Sequence, residues 1–288
     1  MPQDEKNYIF TMTCQDTVGI VAAITQFISK NGGFITSSSH YGDPTTGRFF
    51  MRTVFHSIDS KIRDIKEFKE KFDSIAQAYS MKWDLHYKDY KPKVLIAVSK
   101  FGHCLNDLLH KTRTGQIPIV IPAVISNHPD LRDIVEWYNI PFYYIPITAE
   151  TKKEQENKLI KLIEDMNIDL VVLARYMQIL SPELTEFLSG KCINIHHSFL
   201  PSFKGAAPYQ QAYAKGVKLI GATAHYVTAN LDEGPIIEQA VERIDHSCDV
   251  QGIANITHDL ETIVLSRAIK WHAEDRILLN GNKTVIFS

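Results

Sequence analysis

Two patterns of apolar residues divide this chain. From Asn7 to Tyr87 they mark six short segments. Asn7–Cys14 reads as a strand, and Asp16 can cap a helix that runs to Lys30 and stops at Asn31-Gly32-Gly33. Phe34–Tyr41 and Gly47–His56 read as strands joined at Gly42-Asp43-Pro44. Between Ser60 and Tyr79, the residues Ile62, Ile65, Phe68, Phe72, Ile75 and Ala76 recur at helical spacing. Met81–Tyr87 is the last strand of a βαββαβ order, and the polar run Lys88-Asp89-Tyr90-Lys91-Pro92 reads as a linker.

Beyond the linker the spacing changes. KVLIAVS, IPIVIPAVIS, IPFYYIPI, IDLVVLA and CINIHH are continuous apolar runs separated by helical stretches. Unbroken runs suit parallel strands covered on both faces. Val217–Val227 and Pro235–Arg243 read as a further strand pair, followed by an amphipathic helix from Gln251 to Leu279 and a strand at Thr284–Phe287. The expected class is α/β. A ferredoxin-like βαββαβ domain spans 1–88, a linker 89–92, and a Rossmann-like, mostly parallel domain 93–288.

Composition narrows the classes of function. The 288 residues are 44% hydrophobic, ample for two cores, and 31 basic against 33 acidic residues leave no footprint for nucleic acid or an anionic membrane. No apolar run approaches the roughly 18–20 residues that a membrane span needs. The opening MPQDEKN has no character of a targeting signal. The four cysteines, Cys14, Cys104, Cys192 and Cys248, form no CxxC pair, so reduced thiols in a cytoplasmic protein are expected.

The candidate chemistry lies in INIHHSFLPSFKGAAPY, from Ile193 to Tyr209, and in LDEGP, from Leu231 to Pro235. Both follow strand-like runs, where open α/β sheets present residues to ligands. Asn194 supplies an amide donor, His196 an imidazole and Asp232 a carboxylate, a set suited to acyl chemistry through a tetrahedral intermediate. A carboxylate beside an imidazole favours its charged form, which donates the stronger hydrogen bond. By itself LDEGP is equally a polar turn. His197 reads as a structural neighbour of His196, and His225 as a packed or hydrogen-bonded core residue. Neither His196 nor His197 has cysteines or carboxylates at metal-binding spacing, so no metal is expected.

Two resemblances sharpen the reading. CQDTVGIVAAITQFISKNGGFITSSS and GRFFMRTVF, within Tyr8 to Tyr87, resemble ACT domains, regulatory modules that bind small amino acids. The resemblance implies effector contacts at Asp16, Gly19 and Ile20, with glycine or methionine as signals, although Thr17 stands where the family usually has Arg or another polar residue. A glycine at position 19 makes physical sense, because it lets a ligand approach the backbone. Asn194, His196 and Asp232 occur in the order of the catalytic set of the formyltransferases that use 10-formyltetrahydrofolate. SKFGHCLNDLL, VISNHPDLRDIVEWYNIPF, VLARYMQILSP, KGVKLIGATAHYV and GNKTVIF resemble the formyltetrahydrofolate deformylases in particular.

That resemblance implies hydrolysis of 10-formyltetrahydrofolate to formate and tetrahydrofolate, feeding purine biosynthesis, with Asn194 and His196 stabilising the intermediate. Asp232, or the Asp232–His196 pair, would activate water. The folate would lie along Arg175, Met177, Gln178, Ile179 and Leu180, with Thr228 and Asn230 closing the other side of its pterin. The folate is then a substrate, and no tightly bound cofactor is expected. ACT-like modules commonly pair, which implies a homo-oligomer. Two alternatives remain. In a phosphoribosylglycinamide formyltransferase, a Gly-rich loop would cradle phosphate, whereas Ser99-Lys100-Phe101-Gly102-His103-Cys104 has one glycine and two bulky side chains. A non-catalytic amino-acid-binding regulator has no use for all three candidate catalytic residues.

Overall fold

Tyr8, Phe10, Met12 and Cys14 alternate along β1 (Asn7–Gln15), each at most 1% exposed. That period of two turns one face of an antiparallel sheet onto helices. Ile20, Ile24 and Ile28 of α1 (Ile20–Lys30) meet that face, as do Phe68, Phe72 and Ala76 of α2 (Ile65–Ala78). Strands β2 (Gly33–Asp43), β3 (Arg48–Ser57) and β4 (Lys82–Tyr87) complete the sheet in the order β2-β3-β1-β4, a ferredoxin-like arrangement. Edge-to-face contacts of Phe72 with Trp83 and with Phe10, ring centroids 4.6 and 5.1 Å apart, fill the centre of this core.

The computed structural model describes residues 6–58, 62, 64–200 and 208–288, which fall into two compact units. One comprises Met1–Tyr90 with Glu274–Ser288, the other Lys91–Ala273. The sequence reading runs the last helix to Leu279, but α8 (Val250–Ala273) ends earlier. Asp275 takes φ 51°, and Arg52 of β3 donates from Nη2 to the Glu274 carbonyl at 2.8 Å and from Nε to the Asp275 carbonyl at 3.1 Å. Carbonyls held by a guanidinium do not continue a helix. The chain instead forms a hairpin, β12 (Ile277–Asn280) and β13 (Lys283–Ile286), within the first unit.

Two helix starts also differ from expectation. Asp16 does not cap α1. β1 stays paired with β3 as far as Gln15, Asp16 N donates to the Gly47 carbonyl at 2.8 Å, and the N-cap is Gly19 at φ 95° with no side-chain bond. The expected start of α2 at Ser60 lies outside the described residues. The helix begins at Ile65, capped by the Asp64 carboxylate, which accepts from Lys66 N at 3.0 Å.

His86 ties β4 to the C-terminal segment. Its Nδ1 is 3.1 Å from Asp275 Oδ2 and its Nε2 3.1 Å from Asp84 Oδ2. The bonds to Asp275 and then Asp84 outweigh burial and raise the His86 pKa to about 10. A raised pKa contributes stability in full below the ordinary histidine value of about 6.5, and that stability is lost as pH climbs through about 10. His86→Gln is therefore expected to lower the thermal midpoint near pH 6. The gap from the unsubstituted protein should close by pH 11, as thermal unfolding at both pH values would measure.

The second unit is built on a seven-stranded sheet. Strands β5 (Lys93–Val98), β6 (Val120–Ser126), β7 (Phe142–Tyr144), β8 (Leu170–Leu173) and β9 (Cys192–His196) pair in parallel. β10 (Leu219–Tyr226) and β11 (Ile236–Arg243) add an antiparallel edge, in the order β11-β10-β9-β8-β5-β6-β7. The connections hold α3 (His103–Arg113), α4 (Arg132–Trp137), α5 (Lys152–Met166), α6 (Pro182–Phe187) and α7 (Pro208–Lys215). Val94 to Val98 are wholly buried, as strands covered on both faces should be. Strand order reverses between β5 and β8, so their carboxyl ends border the crevice where such sheets take ligands.

Candidate active site

Antiparallel register builds the site. Asn194 and His196 lie two residues apart on β9, hence on one face, opposite His225 and Thr223 of β10. Asp232 comes from the turn after β10, where it takes φ 56°, a left-handed conformation that an aspartate adopts at some cost. Gly234 makes that turn possible, because a Cβ there would stand 1.7 Å from the Tyr226 carbonyl oxygen.

The Asp232 carboxylate is the hub. His196 Nδ1 lies 3.3 Å from its Oδ2, while Asn194 Nδ2 and His225 Nε2 approach its Oδ1 at 3.5 and 3.6 Å. Burial works to raise its pKa, but hydrogen bonds from His196 and His225 outweigh it and hold the group well below the usual carboxylate range. His225 Nδ1 is 3.0 Å from the Tyr226 carbonyl oxygen, which only accepts, so Nδ1 carries a proton and Nε2 faces Asn194 Nδ2 at 3.2 Å. His196 Nε2 is buried and meets no partner among the described residues.

The expectation for His225 holds in part. It is 2% exposed and hydrogen-bonded, but its partners are the candidate catalytic residues. Register opposite Asn194 is the signal that places it there. His197 stacks on His196 at 4.7 Å, and burial, then Arg175 and His196, push its pKa down to about 4, so it stays neutral. Residues 201–207 of the motif lie outside the described residues.

The segment after β8 divides. Met177 and Ile179 are 58% and 64% exposed, whereas Leu180 packs on the core of the unit. Gln178 lines a cavity of about 10 Å³ with Tyr176, Ile179, Leu180 and Glu156, room for about one water. Arg175 is only 6% exposed and ion-pairs with fully buried Glu261 of α8, Nη1 to Oε1 at 3.0 Å. Thr228 and Asn230 are exposed, with Thr228 Oγ1 donating to the Asn230 carbonyl at 3.1 Å. In the first unit Asp16 and Gly19 are exposed. Ile20 sits in the core at 2% exposure and presents almost no surface to a ligand.

Two supports carry no signal in the local sequence pattern. Ser99 Oγ accepts from Met177 N at 2.9 Å and donates to Asn127 Oδ1 at 2.6 Å. Glu156 Oε1 accepts from Ser181 N at 2.9 Å. The segment is thus pinned at both ends.

Residues 92–269 match the formyl transferase family model. A formyltetrahydrofolate deformylase of Corynebacterium sp. (strain P-1) is 47% identical over 98% of this chain and 99% of its own length. The crystal structure of formyltetrahydrofolate deformylase from Burkholderia mallei superposes with a TM-score of 0.94 at 44% identity, covering 98% of this chain and all of that one. The chain belongs to the formyltetrahydrofolate deformylase family. Members of this family are hydrolases, and the chain is an enzyme. The glycinamide ribonucleotide transformylase 1 of Symbiobacterium toebii is similar over 71% of this chain and 98% of its own, with a TM-score of 0.65 and 27% identity. None of the four cysteines is paired. Cys14, Cys104 and Cys192 are buried and Cys248 is half-buried. Among the described residues no helix is long and apolar enough to cross a membrane.

Proposed function

We propose that this site hydrolyses 10-formyltetrahydrofolate to formate and tetrahydrofolate. The carrying observation is the convergence of His196, Asn194 and His225 on one ionised carboxylate, Asp232. Both oxygens of Asp232 are engaged and its pKa is depressed, which makes it a weak base for water. His196 Nε2 points away from that pair without a partner among the described residues. The Asp232–His196 pair therefore activates water: Asp232 holds Nδ1–H and Nε2 takes the proton. Water oxygen adds to the formyl carbon, and the new imidazolium faces the developing oxyanion. Asn194 Nδ2 stands 3.2 Å from His225 Nε2, which holds the amide in place. Its contact with Asp232 Oδ1, 3.5 Å, is at the limit of a hydrogen bond, so this amide hydrogen is free to turn to the oxyanion. His196 then returns its proton to the folate nitrogen as the C–N bond breaks.

Exposed Met177, Ile179 and Leu231 lie on the segments after β8 and β10, the two strands that flank β9, and offer apolar surface to the pterin. Gln178, Leu180, Thr228 and Asn230 complete the folate contacts, and Arg175, its guanidinium held by Glu261, offers its backbone. If that segment carries the folate, Glu156→Ala should raise the KM for 10-formyltetrahydrofolate about tenfold, the worth of one charge-assisted hydrogen bond, with a smaller change in kcat. Glu156→Gln keeps an acceptor oxygen and should restore most of the loss in steady-state kinetics. The wider reading is a cytoplasmic enzyme that supplies formate for purine biosynthesis and needs no tightly bound cofactor. The first unit would be an ACT-like sensor of glycine or methionine at Asp16, Gly19 and Ile20, and would pair copies of the chain. Failure of either amino acid to alter activity or thermal stability would end the sensor reading.

The deciding experiment follows tetrahydrofolate and formate released from 10-formyltetrahydrofolate with water as the sole acceptor. Equal release of both supports hydrolysis. Release only with added glycinamide ribonucleotide would make the chain a transformylase, and no release at all would favour a binding protein.

A further inference from the structure

Asn194, His196 and Asp232 do not by themselves choose between water and an amine. The Symbiobacterium toebii neighbour is named as a transformylase acting on glycinamide ribonucleotide, and it shares the fold of the larger unit. The choice of acceptor must therefore depend on what stands beside the reacting carbon. Here the crevice between the carboxyl ends of β5 and β8 is filled from within. Ser99 and Met177 bridge it by a hydrogen bond. The Arg175 guanidinium lies 5.0 Å from the Phe101 ring centroid and donates to Glu261, whose second oxygen is 2.5 Å from His103 Nε2. His258 of α8 stacks on His103 at 4.2 Å, so the loop after β5, the end of β8 and α8 are joined by packed side chains.

The backbone at Arg175 is strained. Its φ is 64°, in the left-handed region, where an ordinary residue costs about 1 kcal/mol relative to glycine. Glycine would take that conformation freely and leave the crevice open by a whole side chain. His103, Cys104 and Glu261 stand within 4.8 Å of one another, and both Glu261 oxygens are taken, by Arg175 and by His103.

We propose that Arg175, braced by Phe101, His103 and Glu261, plugs the acceptor side of the site and thereby restricts the formyl group to water. Arg175 is a specificity-determining residue on this view, and the view rests on the hydrolytic reading above. Hydrolysis breaks the formyl C–N bond and forms C–O to water. One water proton goes to the folate nitrogen and the other leaves with formate, as H⁺. An amine in the water's place would form C–N instead and give its proton to the same folate nitrogen. The same three residues serve either course, so access alone decides.

The test incubates 10-formyltetrahydrofolate with the full chain, with and without glycinamide ribonucleotide, and quantifies tetrahydrofolate, formate and formylated acceptor. Arg175→Gly removes the plug, and Phe101→Ala opens it while leaving the Arg175–Glu261 pair intact. The unsubstituted protein should release formate and tetrahydrofolate in equal amounts whatever the acceptor concentration. At least one variant should form about tenfold or more formylated acceptor per tetrahydrofolate than the unsubstituted protein does, the scale of steric discrimination in a pocket. A variant too slow to assay should still bind glycinamide ribonucleotide by calorimetry where the unsubstituted protein does not. Folded variants that neither bind nor formylate the acceptor overturn the proposal, as does formylation by the unsubstituted protein. Failure of the unsubstituted protein to release tetrahydrofolate in water is a different result, and would overturn the hydrolytic reading instead.

Discussion

Asp232→Asn is expected to lower kcat for release of tetrahydrofolate by about a thousandfold or more, while KM changes little. The substitution keeps the shape of the side chain and removes the charge around which the site is arranged. Asp232 Oδ2 orients His196 through Nδ1, and Oδ1 faces Asn194 and His225. An amide in that place presents a donor to at least one group that is itself a donor. The imidazole then loses the tautomer that leaves Nε2 free to take a proton, and the imidazolium that follows has no counter-charge. Stability should respond with a defined sign. A depressed carboxylate pKa contributes stability above the ordinary aspartate value of about 3.9, and that contribution is lost as pH falls further. Unsubstituted protein should therefore lose its thermal advantage over Asp232→Asn on acidification below about pH 4. Steady-state rates at saturating folate, with thermal unfolding at neutral and acid pH, check both halves. A loss of less than tenfold in kcat would remove Asp232 from the centre of the mechanism.

Local pattern made the strands legible and distance hid their connections. The continuous apolar runs at Val94–Val98 and Leu170–Leu173 are buried strands because nothing polar interrupts them. Asn194 and His196 share a face for the same period-two reason, and the turn with Asp232 brings the third residue to them. The end of α8 was not legible, since the Arg52 that holds the Glu274 carbonyl lies 222 residues away. Glu261 reads as one more polar position on an amphipathic helix, yet it is wholly buried by partners 86 and 158 residues distant. His225 is an intermediate case: its burial follows from the strand, but its partner Asn194 follows only from register. The misplaced cap at Asp16 has a nearer cause. Pairing of β1 with β3 persists to Gln15, and Gly19 supplies the left-handed turn that an aspartate cap would not.

The turn that presents Asp232 is fixed by a contact between backbones, so Gly234→Ala is expected to cost about a hundredfold in kcat/KM with every candidate catalytic side chain still present. The added Cβ would stand 1.7 Å from the Tyr226 carbonyl oxygen and 2.9 Å from its carbon, in the chain that also carries His225. A flexible side chain could move aside, but a strand held in register with β9 cannot. Tyr226 N also donates to the Pro235 carbonyl at 2.9 Å, closing the turn on the far side of Gly234. Relief has to come from the turn itself, and Asp232, two residues earlier at φ 56°, moves with it. A displacement near 1 Å is enough to lose the pairing with His196, which already stands at 3.3 Å. Gly216→Ala is the control. Its φ of 60° is equally left-handed, but a Cβ there meets nothing within 4 Å. That variant should lose about 1 kcal/mol of stability through backbone strain and keep its activity. Equal activity in both variants would mean that Asp232 is not positioned by this turn, whereas loss confined to Gly234→Ala ties the chemistry to the closeness of the two backbones.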